Sequence, residues 1–227
     1  MNFLAHFELC KGNTNPEFCL GSILPDLSKR AGFQLNRKLV SNLEPAKFRH
    51  WKEGILLHWS VDSQFHNSLL FETGLQLWKD ALEPEPLGRW KRHFFLHHLL
   101  CEMWVDRLIL QQNRDASHQM YTVLQQVNTR ELNDLSALMF NDITAKLSNI
   151  YNQFMEKQFI TSYLDQQSFS KIAAGVFCHV TGQDYAPEIP EAILNGLNRL
   201  DKQSELMLGE WHYFYSNFGK PDSTPFR

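Results

Sequence analysis

Apolar residues recur every three to four positions along most of the chain, and the two-residue alternation of a half-buried strand is nearly absent. That period predicts a helix over 17–30, bent near Pro25, followed by an irregular stretch over 31–46. A long helix starts at Ala46 and carries Trp51, Ile55, His58, Asp62 and Phe65. A further piece over 68–82 ends before Glu83-Pro84-Glu85-Pro86, and an aromatic-rich helix with Trp90, Phe94, Phe95 and Trp104 fills 87–112. Helices are then predicted near 115–128, 129–162 and 166–181. Asp184 to Pro190 reads as a loop, and a last helix over 190–217 precedes a proline-containing tail from Gly219. No boundary stretch is long or polar enough to be a linker, and no repeat is found. Residues 1–227 are therefore expected to form a single all-α domain.

Two of these helices carry the same arrangement of metal-ligand types. His58, Asp62 and His66 stand four residues apart on one, and His98, Glu102 and Asp106 do so on the other. Steps of four keep side chains on one helical face, drifting by roughly 40° each. Neighbours in a stripe can share an ion, whereas the outer pair is about 12 Å apart along the axis. The flanking residues are apolar: Ile55, Leu57 and Val61 on one helix, Leu99, Trp104 and Val105 on the other. Carboxylates buried among them are costly unless paired, and a divalent cation pairs them. Imidazole with carboxylate suits Mn²⁺, Fe²⁺ or Zn²⁺ rather than a thiolate-loving metal. His6, in an apolar opening segment, and Asp26, at the end of Gly21-Ser22-Ile23-Leu24-Pro25-Asp26, are weaker candidates. Taken singly, any of these residues is an ordinary surface or core group; two parallel triplets are what raise the metal reading above that.

Composition narrows the class. The four cysteines, Cys10, Cys19, Cys101 and Cys178, are widely spaced and include no CxxC pair, which argues against a zinc knuckle or a disulfide scaffold and fits a reducing, cytoplasmic setting. Neither a signal peptide nor a membrane-spanning stretch is evident. A net charge of −3 leaves no overall nucleic-acid footprint. The charge is uneven, however. Between Leu27 and Lys52 the basic residues are Lys29, Arg30, Arg37, Lys38, Lys47, Arg49 and Lys52, against Glu44 alone, so the segment carries +6 and the remainder −9. A basic stretch beside Asp26 and His58 either docks an acidic partner, through Arg30, Lys47, Arg49 and Lys52, or is simply a solvated face.

Met1-Asn2-Phe3-Leu4-Ala5-His6 resembles the opening MNFLAH of the bacterial acyl carrier protein phosphodiesterases, a branch of the HD phosphatase and phosphodiesterase group. Gly21 to Asp26 is similar to that family's GNxxxD element, Gly54 to His58 with Val61-Asp62 to its GIxxHRxID element, and Glu102 to Asp106 to its DxxxD helix. Phe159 to Tyr163 resembles its WLxxY stretch, and the aromatic closing segment from Trp211 to Phe218 is similar too. The resemblance implies an HD-domain-like helical bundle and metal ligation by His6, Asp26, His58, Asp62 and Asp106. The metal implied is Mn²⁺ or a similar ion such as Fe²⁺ or Zn²⁺, and the reaction is release of 4′-phosphopantetheine from holo acyl carrier protein. Asp62, Glu102, His66 and His98 are then expected to orient the attacking water or take its proton, and Arg107 or Lys29 to bind phosphate. The chain departs from the family pattern at Trp59 (Arg in the family), His66 (Asp), Glu102 (Asp) and Arg107 (His), and His98 stands where a small residue or Pro is expected. A small phosphoester or nucleotide as substrate, or loss of activity in a retained fold, are the alternatives.

Overall fold

Two helices that cross backbone to backbone set the geometry around the first ligand group. The structure, a computed structural model, describes residues 3–10, 12–43, 45–85, 90, 92–140 and 145–219. The protein is 81% helical and no described residue lies in a strand, so the chain is all-α as expected. Met1-Asn2, Pro86 and the start of the helix expected at 87, and the tail beyond Gly219 lie outside the described residues.

The chain folds as two compact units, Phe3–Ser63 with Asp115–Phe159, and Gln64–Arg114 with Ile160–Arg227. The first unit contains α1 (Phe3–Glu8), α2 (Pro16–Arg30), α3 (Arg37–Ser41), most of α4 (Pro45–His66), α7 (Ala116–Leu124), α8 (Thr129–Phe140) and α9 (Lys146–Lys157). α2 starts where Asn15 accepts from the Phe18 amide at 2.8 Å with Pro16 at the first helical position, the sequence chemistry of a helix start. It then runs through Pro25 without a break. The stretch expected to be irregular contains α3, capped by Asn36 accepting from the Leu39 amide at 2.9 Å; five mostly polar residues give too short a pattern for periodicity to register.

Within this unit Gly21 of α2 and Gly54 of α4 meet. A Cβ on Gly21 would lie 2.8 Å from the Trp51 carbonyl oxygen, and one on Gly54 2.9 Å from the Gly21 Cα and against the Phe18 carbonyl. Only glycine permits this approach. It places Ser22 and Asp26 of α2 against the turn of α4 that carries His58.

The second unit packs α5 (Leu69–Leu82), α6 (His93–Gln112), α10 (Gln166–Thr181), α11 (Glu188–Leu200) and α12 (Ser204–Asn217). α6 is its central helix: every residue from Leu99 to Leu110 is buried, and Trp104 meets Trp78 of α5 edge to face at 5.9 Å. A helix apolar nearly all round is a core helix, which is why its carboxylates stand among large hydrophobics. Two expected helices are broken. The 129–162 stretch divides into α8, α9 and a 3-10 segment (Phe159–Leu164), with Ala145 and Gln158 at φ 52° and 41°. The 190–217 stretch divides at a 3-10 turn over Asp201–Gln203. Neither break carries glycine or proline, so no local punctuation marks either one. No helix among the described residues is long and apolar enough to cross a membrane.

Candidate metal centres

α1, α2 and α4 each contribute one ligand type to the first group. His6 sits on the buried face of α1 beside Phe3, Leu4 and Ala5; Asp26 comes from the last turns of α2 and His58 from α4. One ligand atom from each lies within 4.8 Å of the others, and all three residues are buried. Three ligands about 2.1 Å from one ion stand at most about 3.6 Å from one another when evenly spread, so closure by up to about 1 Å brings the set into coordination.

Three features fit a cation here. His58 Nδ1 donates to the Ser22 carbonyl at 2.8 Å, which leaves Nε2 with its lone pair, the tautomer a metal-binding histidine needs. His6 stacks on His58 with centroids 4.1 Å apart, and its buried Nδ1 has no hydrogen-bond partner among the described residues. Burial, and then the neighbouring His58, holds the His6 pKa well below its ordinary value, and burial also lowers that of His58. Both imidazoles are thus neutral at pH 7. Asp26 is pushed up by burial, but the positive groups around it outweigh this, Lys29 at 2.8 Å among them, and the carboxylate stays ionised.

The depressed histidines have a measurable consequence in metal-free protein. Their folded-state pKa values lie below the ordinary 6.5, so on acidification the unfolded chain takes up protons first. Stability is then full above about pH 6.5 and falls as pH drops toward the folded-state values, by at most about 1.4 kcal/mol per pH unit for each histidine. Thermal melts in EDTA between pH 7.5 and 5 are expected to show this slope, and His6→Asn to lose one histidine's share of it. An unchanged slope in that variant would rule out His6 as a buried neutral imidazole.

The other expected site residues distribute as follows. Asp62 is one turn beyond His58, half-buried, outside the close trio but within electrostatic reach of His6, His58 and Lys29. Asp106 is wholly buried and belongs to the second unit. Arg107, expected on phosphate, is buried in that unit, and its Nη1 donates to the backbone carbonyls of Tyr163 and Leu164. Lys29 is a cation at the trio, its side chain 66% exposed beside an Asp26 side chain that is 10% exposed.

His66, His98 and Glu102, expected as helpers around the His58 metal, form a group of their own in the second unit. His66 Nε2 lies 3.2 Å from His98 Nε2 and 3.2 Å from Glu102 Oε1, and His98 Nε2 is 3.1 Å from the same oxygen. Cys101, the next residue in the chain to Glu102, is buried, and burial pushes its thiol up to about 12, which makes it a core residue rather than a thiolate ligand.

The basic segment is largely tied down within its own unit. Lys47 pairs with Asp134 at 2.8 Å, Arg49 with Glu53 at 2.9 Å, Lys52 donates to the Ser41 carbonyl at 2.8 Å, and Arg30 lies over the Phe159 ring at 5.7 Å. Glu53 lies one residue past the basic stretch and Asp134 is far off in sequence, so both partners stand outside it. Ser22, Gly21 and Gly54 were visible in the sequence only as motif letters; their roles depend on a helix crossing that a one-dimensional pattern does not encode.

The chain is thus all-helical, and among the described residues each of its two units holds a His/carboxylate triad. Comparison with family models, with curated proteins and with solved structures gives no match.

Proposed function

We propose that this protein is a divalent-metal-dependent phosphodiester hydrolase of the acyl carrier protein phosphodiesterase kind, with an HD-domain-like site at His6, Asp26 and His58. The observation that carries the proposal is the buried trio from three helices, in which one imidazole has its tautomer fixed by Ser22 and the other has an unpartnered Nδ1. Lys29 pairs Asp26, so what a cation would complete is the unpartnered His6 Nδ1 beside a His58 Nε2 that keeps its lone pair.

A divalent ion, Mn²⁺ first among Mn²⁺, Fe²⁺ and Zn²⁺, would supply charge neutralisation for a phosphoryl oxygen and acidify a water. His6, Asp26 and His58 would hold it, with Ser22 fixing the His58 ring. Asp62, half-buried one turn along α4 from His58, takes the proton from the attacking water as the water oxygen bonds to phosphorus. The phosphorus–oxygen bond to the leaving alcohol breaks, and the alcohol oxygen takes the proton that Asp62 received. Lys29 binds a non-bridging phosphate oxygen at the open side of the site. Asp62→Ala is expected to abolish metal-dependent cleavage of bis(p-nitrophenyl) phosphate and to leave the far-UV circular dichroism unchanged, because water fills the vacated polar space. Full activity would exclude this mechanism.

The basic segment bears on the substrate. If it docks an acidic carrier protein, Lys47→Glu with Arg49→Glu raises KM for holo acyl carrier protein, more so at low salt, and spares the small chromogenic diester. The ion pairs to Asp134 and Glu53 favour the second reading, a small phosphoester, because they take charge out of the docking face. Equal effects on both substrates would exclude docking as the role of these residues.

A further inference from the structure

We infer that His66, His98 and Glu102 form a second divalent transition-metal site, independent of the His6 group and open to solvent on one side. His66 ends α4 just before the turn to α5, whose first residues are capped by Ser68 accepting from the Phe71 amide at 3.2 Å. His98 and Glu102 stand one turn apart on α6. The three ligand atoms make a nearly equilateral triangle with edges of 3.2, 3.2 and 3.1 Å.

Both imidazoles can donate to the one Glu102 oxygen, at 3.2 and 3.1 Å, and the two nitrogens then stand 3.2 Å apart with no bond between them. A cation at the centre accounts for that close N···N approach as well, since both nitrogens and the oxygen then present lone pairs to the same charge.

The dimensions agree. An ion about 2.1 Å from all three atoms sits about 1 Å off their plane, with ligand–metal–ligand angles of roughly 98°, between octahedral and tetrahedral values. Two imidazoles and one carboxylate on one face are a donor set for Zn²⁺, Fe²⁺ or Co²⁺ rather than for Mg²⁺ or Ca²⁺. Aromatic rings hold the imidazoles: Phe71 stands edge-on to His66 at 4.7 Å and to His98 at 5.0 Å, and Phe95 stacks on His98 at 5.9 Å. Their apolar wall strengthens the ion's attraction to Glu102. The side chains of His66 and His98 are 26% and 35% exposed, so the remaining coordination positions face solvent and can take water or a small anionic ligand.

Co²⁺ absorption tests the site without reference to hydrolysis. EDTA-stripped His58→Ala protein, which lacks the first group, is expected to bind one Co²⁺ per chain with visible d–d bands. Adding Glu102→Gln, of nearly the same shape, or His98→Asn, at a more exposed position, is expected to weaken that binding at least tenfold while the circular dichroism stays helical. No Co²⁺ bands in His58→Ala, or bands unmoved by both additional changes, would overturn the second site. Glu102→Gln alone bears only on this group, so loss of Co²⁺ there and loss of hydrolysis in the Asp62 and His58 variants fail or succeed separately.

Discussion

His58→Ala is expected to lower metal-dependent phosphodiester hydrolysis by about a thousandfold or more, the scale of losing several kcal/mol of transition-state stabilisation by a bound ion. The substitution removes the one ligand whose tautomer the fold visibly sets, through the 2.8 Å bond from Nδ1 to the Ser22 carbonyl. It leaves His6 and Asp26, too few ligands to hold a divalent ion at micromolar concentration. His58→Gln, which keeps a polar side chain of similar reach but offers no imidazole nitrogen, should retain the fold and share the loss. A histidine whose role is only to fill the core predicts the opposite pattern: lower stability in the alanine variant and turnover per folded molecule unchanged.

Gly54→Ala is expected to destabilise by about 3 kcal/mol, at the upper end for overpacking, because the added methyl meets backbone and not a movable side chain. Its Cβ would lie 2.9 Å from the Gly21 Cα and 2.9 Å from the Ser22 amide nitrogen. The α2–α4 crossing must then open, and the carbonyl of Ser22 moves away from His58. Metal affinity should therefore fall together with the melting temperature, by about 10 °C for a chain of this size. Gly175→Ala is the matched control. Gly175 lies inside α10 with nothing within 4 Å of a new Cβ, so the change is expected to stabilise by about 0.5–1 kcal/mol through backbone entropy. Equal effects of the two changes would mean that the close crossing does not exist.

The helical class was legible because the apolar period is sustained over long stretches, and the ligand types were legible because spacing by four marks a face. Which ligands meet was not. His58 and Asp62 share a stripe, yet the close partners of His58 are His6 and Asp26, brought in by short α1 and by the glycine crossing of α2 on α4. His66 lies on the same stripe as His58, but the close triangle it enters is with two residues of α6. A stripe gives direction around an axis; where two axes cross is decided by small residues and by helix ends. Those ends were the weakest part, since Ala145 and Gln158 take left-handed backbone angles with no glycine to announce them. The basic segment shows a different gap: a net charge summed over a stretch omits the acids that fold against it.

Mn²⁺ binding and hydrolysis measured on the same samples give the most direct test of the His6 group. EDTA-stripped protein is titrated with Mn²⁺, bound ion is followed by electron paramagnetic resonance, and bis(p-nitrophenyl) phosphate cleavage is read at each point. Activity should rise in proportion to the ion bound in the parent protein, and both the corresponding fraction of bound ion and the activity should be missing from His58→Ala. Hydrolysis that persists in His58→Ala, or a parent protein that binds no Mn²⁺ this variant lacks, would contradict a metal-dependent hydrolase built on His6, Asp26 and His58.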